Sequence, residues 1–130
     1  MYYFAYGADL NKAAMKERCP DSKPLFKATL PHYKLIFADW SRQLHGAKAT
    51  IIGFSGERVS GAVYEVTAIC LNKIDKAETG YRRINVKVYD EDGNQHEAVT
   101  YLKTGQPKED KPSPEYLAGI QKGYREWGLL

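Results

Sequence analysis

Residues 2–10, Tyr2-Tyr3-Phe4-Ala5-Tyr6-Gly7-Ala8-Asp9-Leu10, are the stretch on which the reading of the fold turns. Tyr2 to Tyr6 have the aromatic-rich composition of a strand. Gly7 punctuates the run. Behind it, Leu10-Asn11-Lys12-Ala13-Ala14-Met15-Lys16-Glu17-Arg18 reads as helix, with Asp9 in position to cap it. A strand, a tight glycine turn and a helix start leave backbone N–H groups unpaired and pointing outward, where the helix dipole favours an anion. Two readings stand side by side. Either Asp9 caps its own helix, or the turn receives an anionic ligand.

Working outward, Pro20-Asp21-Ser22 ends the first helix. Leu25–Leu30 and Tyr33–Ala38 read as two strands broken at Pro31-His32, and Asp39–Lys48 as a loop. Ala49–Phe54 is a short apolar strand, and Ser55-Gly56-Glu57 a turn. Val59–Val66 alternates, and Gly61 inside it marks a bulge or a close approach by another group. Thr67 caps a helix running to Ala77, whose apolar positions recur at three and four. Tyr81–Tyr89 and His96–Lys103 are strands joined through Asp92-Gly93, a dipeptide that tolerates positive φ. Thr104–Lys111 is a polar loop. Ser113-Pro114-Glu115 opens a last helix, and Gly128 ends it. The predicted order is β-α-β-β-β-β-α-β-β-α. It implies an α+β fold: a mixed, largely antiparallel curled sheet or small β-barrel with flanking helices, in one domain spanning 1–130.

The bulk numbers narrow the function classes. A chain of 130 residues suits one domain and buries roughly 68% of its unfolded surface, enough for a core and a pocket. Hydrophobic residues make up 43% and charged residues 27%, as in ordinary globular chains. The net charge of +3 is scattered, and no basic stripe interleaved with aromatics is visible, so nucleic acid is not an expected partner. No apolar run approaches a membrane span and no signal peptide precedes the first strand, so no membrane association and a cytoplasmic location are expected. Cys19 and Cys70 are far apart and form no C-x-x-C. They read as two reduced, buried thiols of an intracellular protein, with one disulfide as the alternative.

The chemistry-bearing residues are few. His32, His45 and His96 lack the short spacings of a metal site, and no metal is expected. There is no G-x-S-x-G, P-loop or G-x-G-x-x-G. The informative segment is Ile74-Asp75-Lys76-Ala77-Glu78-Thr79-Gly80-Tyr81-Arg82-Arg83. Asp75 and Glu78 are three apart at a helix end and can share a face. A neighbouring carboxylate and burial both raise a pKa, which would let Glu78 exchange protons near neutrality, while Arg82 and Arg83 would pull the other way. A solvated helix end with ordinary ion pairs is the plainer reading of the same residues.

Taken together, these segments resemble the γ-glutamylcyclotransferase-like family. Tyr3-Phe4-Ala5-Tyr6-Gly7-Ala8-Asp9-Leu10 resembles its Y-G-S-N-L loop. Arg18-Cys19-Pro20, Lys34-Leu35-Ile36-Phe37, His45-Gly46-Ala47-Lys48-Ala49-Thr50-Ile51 and Val59-Ser60-Gly61-Ala62-Val63-Tyr64 follow in the family's order. Ile74-Asp75-Lys76-Ala77-Glu78 resembles its L-D-x-x-E-G segment, and Tyr81 and Arg83 its trailing Y-x-R. Pro112–Tyr116 with Gly128-Leu129 resembles the closing helix of the animal glutathione-pathway members.

The resemblance implies an enzyme that cleaves γ-glutamyl amides, releasing 5-oxoproline and a free amine or amino acid, with no metal or organic cofactor. It implies that the loop matched by Tyr6, Gly7, Ala8, Asp9 and Leu10 holds the substrate's α-carboxylate through backbone N–H groups, and that Glu78 moves the protons. Tyr6, Tyr81 and Arg83 are candidates to wall or polarise the pocket, with core or surface roles as their alternatives. A small-molecule γ-glutamyl substrate is the expected partner, bound by a monomer or homodimer. Two departures bear on this. Ala8-Asp9 stands where the family has Ser-Asn, which adds a negative charge beside the carboxylate site, and the loop after Glu78 is short. A binding module on the same fold, holding a γ-glutamyl or 5-oxoproline-like ligand without turnover, is the competing expectation.

Overall fold

The aromatic run of residues 2–6 supplies strand β1 (Tyr2–Ala5) in the computed structural model, which describes residues 1–130. A single 3-10 turn, Ala8–Leu10, follows Gly7. Then come α1 (Lys12–Arg18), β2 (Lys23–Ser41), β3 (Gly46–Glu65), α2 (Ala68–Ala77), β4 (Tyr81–Tyr89), β5 (Gln95–Lys103) and α3 (Pro114–Glu126). The five strands close into a barrel in the order β1-β3-β2-β4-β5. All neighbours are antiparallel except β1 and β5, which are parallel, so the sheet is mixed as the sequence implied.

The predicted element count is corrected in two places, because four predicted strands merge into two long ones. Pro31-His32 does not end β2; it shifts the register instead. Pro31 pairs with Arg58 and Tyr33 with Gly53, so Phe54–Glu57 loop out of β3 while His32 takes φ 65°. Proline cannot donate to the ladder, and a bulge absorbs the missing bond without ending the strand. The predicted loop 39–48 likewise shrinks to the turn Arg42–His45, because Phe37 and Ala38 pair with Ala49 and Lys48.

Helix boundaries follow their caps. The Thr67 side chain accepts from Cys70 N–H and starts α2; Ser113 accepts from Tyr116 N–H and starts α3, with Pro114 in its first turn. Close approach explains Gly61, as its place within a strand suggested. A Cβ there would lie 2.3 Å from the Ala5 carbonyl oxygen and 2.7 Å from the Phe4 ring. Gly123 does the same for α3: a Cβ would lie 2.7 Å from the backbone of Leu10 and Asn11, so the helix sits directly on the 3-10 turn.

Two apolar clusters follow from this arrangement. Phe4, Leu30, Ile51, Val63 and Val88 are among those that pack together in one, with Ile120 of α3 against them. Tyr3, Leu10, Met15, Tyr64, Leu71 and Ile74 are among those that join β1, β3 and the 3-10 turn to α1 and α2 in the other. Each fully buried side chain of this size contributes about 1.5–3 kcal/mol. The expectation of two reduced thiols is overturned: Cys19 at the end of α1 and Cys70 in α2 form a disulfide, with Cα atoms 5.5 Å apart. Their separation of 51 residues in sequence concealed that α1 and α2 lie side by side. No helix is long and apolar enough to cross a membrane.

Candidate functional site

Asp9 does not cap the helix. Asn11 does so, its side-chain oxygen accepting from Ala14 N–H at 3.1 Å. The freed Asp9 carboxylate is turned inward and is 8% exposed. It accepts from the Tyr3 hydroxyl at 2.6 Å and, with both oxygens, from Arg18 Nη1 at 2.9 and 2.8 Å. The Tyr64 hydroxyl donates to the Asp9 carbonyl at 2.9 Å. The extra negative charge noted in the loop is therefore matched by a cation rather than presented bare to a ligand.

Glu78 ends α2, its N–H donating to the Ile74 carbonyl. Arg18, having bound Asp9 through Nη1, reaches Glu78 Oε1 through Nη2. Lys48 Nζ donates to Glu78 Oε2 at 2.6 Å. Asp75 plays no part in this. It pairs with Arg83 at 3.1 Å and accepts from the Tyr101 hydroxyl at 2.7 Å. The expectation that a neighbouring carboxylate raises the Glu78 pKa is thus corrected. Burial pushes the Glu78 carboxyl up, but the bonds from Lys48 and Arg18 outweigh it and hold the group below the usual carboxylate range. At neutral pH Glu78 is a carboxylate.

Between Glu78 and the 3-10 turn lies a small cavity of about 60 Å³, lined by Gly7, Ala8, Asp9, Arg18, Lys48 and Glu78 and walled by tyrosines. The Tyr6 hydroxyl donates to the Tyr101 carbonyl at 2.6 Å, and the Tyr81 hydroxyl to the Ala49 carbonyl at 2.6 Å. Tyr116 accepts from Ala49 N–H at 3.0 Å. Burial raises the pKa of Tyr3, Tyr6, Tyr81, Tyr101 and Tyr116, so each stays a neutral phenol. Gly7 faces Ala49 closely: a Cβ there would lie 3.3 Å from Ala49 Cβ. A larger groove, about 780 Å³, opens where β2 and β4 share only the Thr29–Tyr89 pair, and neither Glu78 nor Arg18 reaches it.

Of the residues singled out from sequence, Tyr6, Gly7, Ala8, Asp9, Glu78 and Tyr81 meet at the cavity. Two do not. Leu10 is fully buried in the apolar core, with its carbonyl accepting from Trp127 Nε1 at 2.9 Å, and Arg83 lies outside the cavity on Asp75. Sequence reasoning assigned no role to Arg18, Lys48, Tyr3, Tyr101 or Tyr116. Lys48 falls at the end of the predicted loop and carried no signal of its own; only its place in β3 brings it to Glu78. Arg18, nine residues beyond Asp9, carried none beyond its place in the last turn of α1.

The class of protein that the barrel and this site define is confirmed by comparison. The family model described as "Gamma-glutamyl cyclotransferase, AIG2-like" matches residues 3–120. The human protein named gamma-glutamylcyclotransferase is 34% identical over 135 residues, covering 98% of this chain and 71% of its own. The mouse protein of the same name is 32% identical over the same shares. A solved structure titled gamma-glutamyl cyclotransferase superposes with a TM-score of 0.93 at 32% identity, over 99% of this chain and 80% of that one. YkqA from Bacillus subtilis superposes with a TM-score of 0.80 at 25% identity, over 97% of this chain and 48% of its own. The chain belongs to the γ-glutamylcyclotransferase family.

Proposed function

We propose that the protein is a γ-glutamyl cyclotransferase. It cleaves a γ-glutamyl amide by attack of the substrate's own α-amino nitrogen on the γ-carbonyl, releasing 5-oxoproline and a free amine or amino acid. The observation that carries this reading is the partly buried, ionised Glu78 facing the Gly7–Asp9 turn across one small cavity.

The reaction is intramolecular, so the protein has mainly to hold the chain folded and to move protons. The substrate's α-carboxylate sits against the N–H groups of Gly7 and Ala8, where the first turn of a helix leaves donors unpaired. Arg18 balances Asp9 and keeps that approach from being repulsive. The α-ammonium meets Glu78, which takes one proton; the amine closes on the γ-carbonyl and its nitrogen gives up a second; Glu78 passes the two in turn to the departing nitrogen, which leaves as an ammonium while the ring nitrogen keeps one hydrogen. Lys48 holds Glu78 Oε2 in the free protein, in the position an ammonium would take. Its side chain is 28% exposed on a flexible stem, so it can swing aside when substrate arrives. This chemistry draws on no redox or carrier group. We place the enzyme in the cytoplasm as a single-domain monomer or homodimer without nucleic-acid or membrane partners.

A second reading rests on the same contact. If Lys48 stays on Glu78, the carboxylate is not free to act as a base, and the cavity serves as a binding site for 5-oxoproline-like acids. Release of 5-oxoproline from γ-glutamyl-alanine, glutathione, γ-glutamyl-ε-lysine and γ-glutamyl alkylamines, measured with the matching free amine, separates the two. Stoichiometric release from any member supports the enzyme. Tight binding of 5-oxoproline with no release from any member supports the binding module.

A further inference from the structure

The turn that carries Gly7, Ala8 and Asp9 is gripped from behind by groups that stand outside the cavity. Gly123 lets α3 sit directly on Leu10 and Asn11. The end of that helix then reaches over the turn. Glu126 Oε1 accepts from the Lys12 N–H at 3.0 Å, and Trp127 Nε1 donates to the Leu10 carbonyl at 2.9 Å. From β3, the buried Tyr64 hydroxyl donates to the Asp9 carbonyl at 2.9 Å, with the Leu10 carbonyl farther off at 3.4 Å. The Tyr64 and Trp127 rings meet edge to face, their centres 5.6 Å apart, and the Lys12 ammonium lies 4.5 Å from the centre of the Trp127 ring. Neither Tyr64 nor Trp127 lines the cavity.

The backbone connects them to it. A trans peptide unit is planar and points its C=O and N–H in opposite directions, so fixing one aims the other. The Leu10 carbonyl held by Trp127 shares its peptide unit with the Asn11 N–H, which donates to the Ala8 carbonyl at 3.2 Å. The Ala8 carbonyl in turn shares a unit with the Asp9 N–H. The Asp9 carbonyl held by Tyr64 shares its unit with the Leu10 N–H, which donates to the Gly7 carbonyl at 3.0 Å. The Gly7 carbonyl shares a unit with the Ala8 N–H. Each relay runs from donor to acceptor in one direction, an arrangement in which successive bonds polarise one another. The relays end in the N–H groups of Ala8 and Asp9, two residues that line the cavity, and neither N–H is taken up by a bond within the turn.

Resting on the cyclotransferase reading, which puts the substrate's α-carboxylate at the Gly7 turn, we propose that Tyr64 and Trp127 are positioning residues that aim the Ala8 and Asp9 N–H groups at that carboxylate. They act on binding rather than on proton transfer, because Glu78 belongs to the end of α2 and neither relay passes through it.

Tyr64→Phe and Trp127→Phe each remove one donor and keep an aromatic ring in the pair. The test measures kcat and KM with γ-glutamyl-alanine, and the affinity for 5-oxoproline and for its primary amide, with urea midpoints showing that each variant is folded. Each variant is expected to raise KM by about three- to tenfold with kcat within about twofold of the wild type, as misaimed donors to a charged group would give. Affinity for 5-oxoproline falls by the same factor, and affinity for the amide, which lacks the charge, changes by less than about twofold. Where Trp127→Phe does not fold, benzothienylalanine in its place keeps the shape of the indole and lacks its N–H. A folded variant with wild-type KM and wild-type affinity for the acid overturns the inference. Equal weakening of acid and amide does so too, since a merely structural role would give that, and so does a wild type that binds the acid no more tightly than the amide. Release of 5-oxoproline by the wild type alongside any of those results leaves the cyclotransferase reading standing. No release from any γ-glutamyl substrate, with an acid-selective loss of affinity in the variants, overturns the cyclotransferase and leaves the relays standing.

Discussion

Arg18 stands between two carboxylates, Asp9 and Glu78, and spends a separate guanidinium nitrogen on each. This geometry needs the planar fork of arginine, which a lysine point charge does not reproduce. Arg18→Met is therefore expected to destabilise the fold by about 3–5 kcal/mol in urea unfolding, because it strands the buried Asp9 carboxylate with Tyr3 as its remaining side-chain donor. Arg18→Lys is expected to recover less than half of that loss; full recovery would show that charge alone suffices. The Glu78 pairs make a pH prediction. Its folded-state pKa is depressed below the ordinary value of 4.5. Its ion pairs thus contribute fully above that value and are lost as pH falls through the folded value. Wild type and Glu78→Gln should differ most in urea midpoint at pH 7 and converge as pH falls below about 4.5. A gap that widens on acidification would contradict the assignment of Lys48 and Arg18 as net stabilising partners.

At the scale of elements, α1 delivers Arg18 and α2 delivers Glu78, and the Cys19–Cys70 disulfide joins the two helices. Closing a loop of this length restrains the unfolded chain and is worth about 4 kcal/mol. Reducing the protein, or replacing both cysteines by serine, is expected to lower stability by an amount of that order in denaturant titration under oxidising and reducing conditions. Equal midpoints in the two conditions would show that the helices hold together without the bond. β1 and β3 meet at Gly61, where a Cβ would collide with the Ala5 carbonyl. Gly61→Ala is expected to cost about 1–3 kcal/mol by forcing β1 outward, and with it the Gly7 turn that β1 feeds. Most turns and caps were legible because their signals are local: Thr67, Ser113-Pro114 and Asp92-Gly93 each act within a few residues, whereas the cap of α1 was placed on Asp9 and lies on Asn11, after an intervening 3-10 turn. β2 was misread for a physical reason. Proline usually ends a strand, but here β3 pairs on both sides of Pro31 and a bulge takes up the difference.

Across the whole molecule, the mixed, largely antiparallel sheet was legible from the alternation of strands and the succession of hairpins, and curling into a barrel is one way such a sheet buries one face. The disulfide was not, since sequence separation says nothing about which helices lie side by side. The site was half legible. Gly7 and Glu78 announced themselves through the turn and the helix end, and the resemblance to a known family linked them. Their ion partners did not, because Arg18 and Lys48 come from α1 and β3 and meet Glu78 only once the barrel closes. The central claim joins these parts: one partly buried carboxylate, opposite one glycine turn, closes a γ-glutamyl chain on itself. The most direct measurement of it is 5-oxoproline release from γ-glutamyl-alanine at pH 7 by the wild type beside Glu78→Gln, with urea midpoints confirming that both are folded. The account predicts release by the wild type and a loss of about 10²–10⁴-fold in kcat for the variant. Release at the wild-type rate by Glu78→Gln would contradict it.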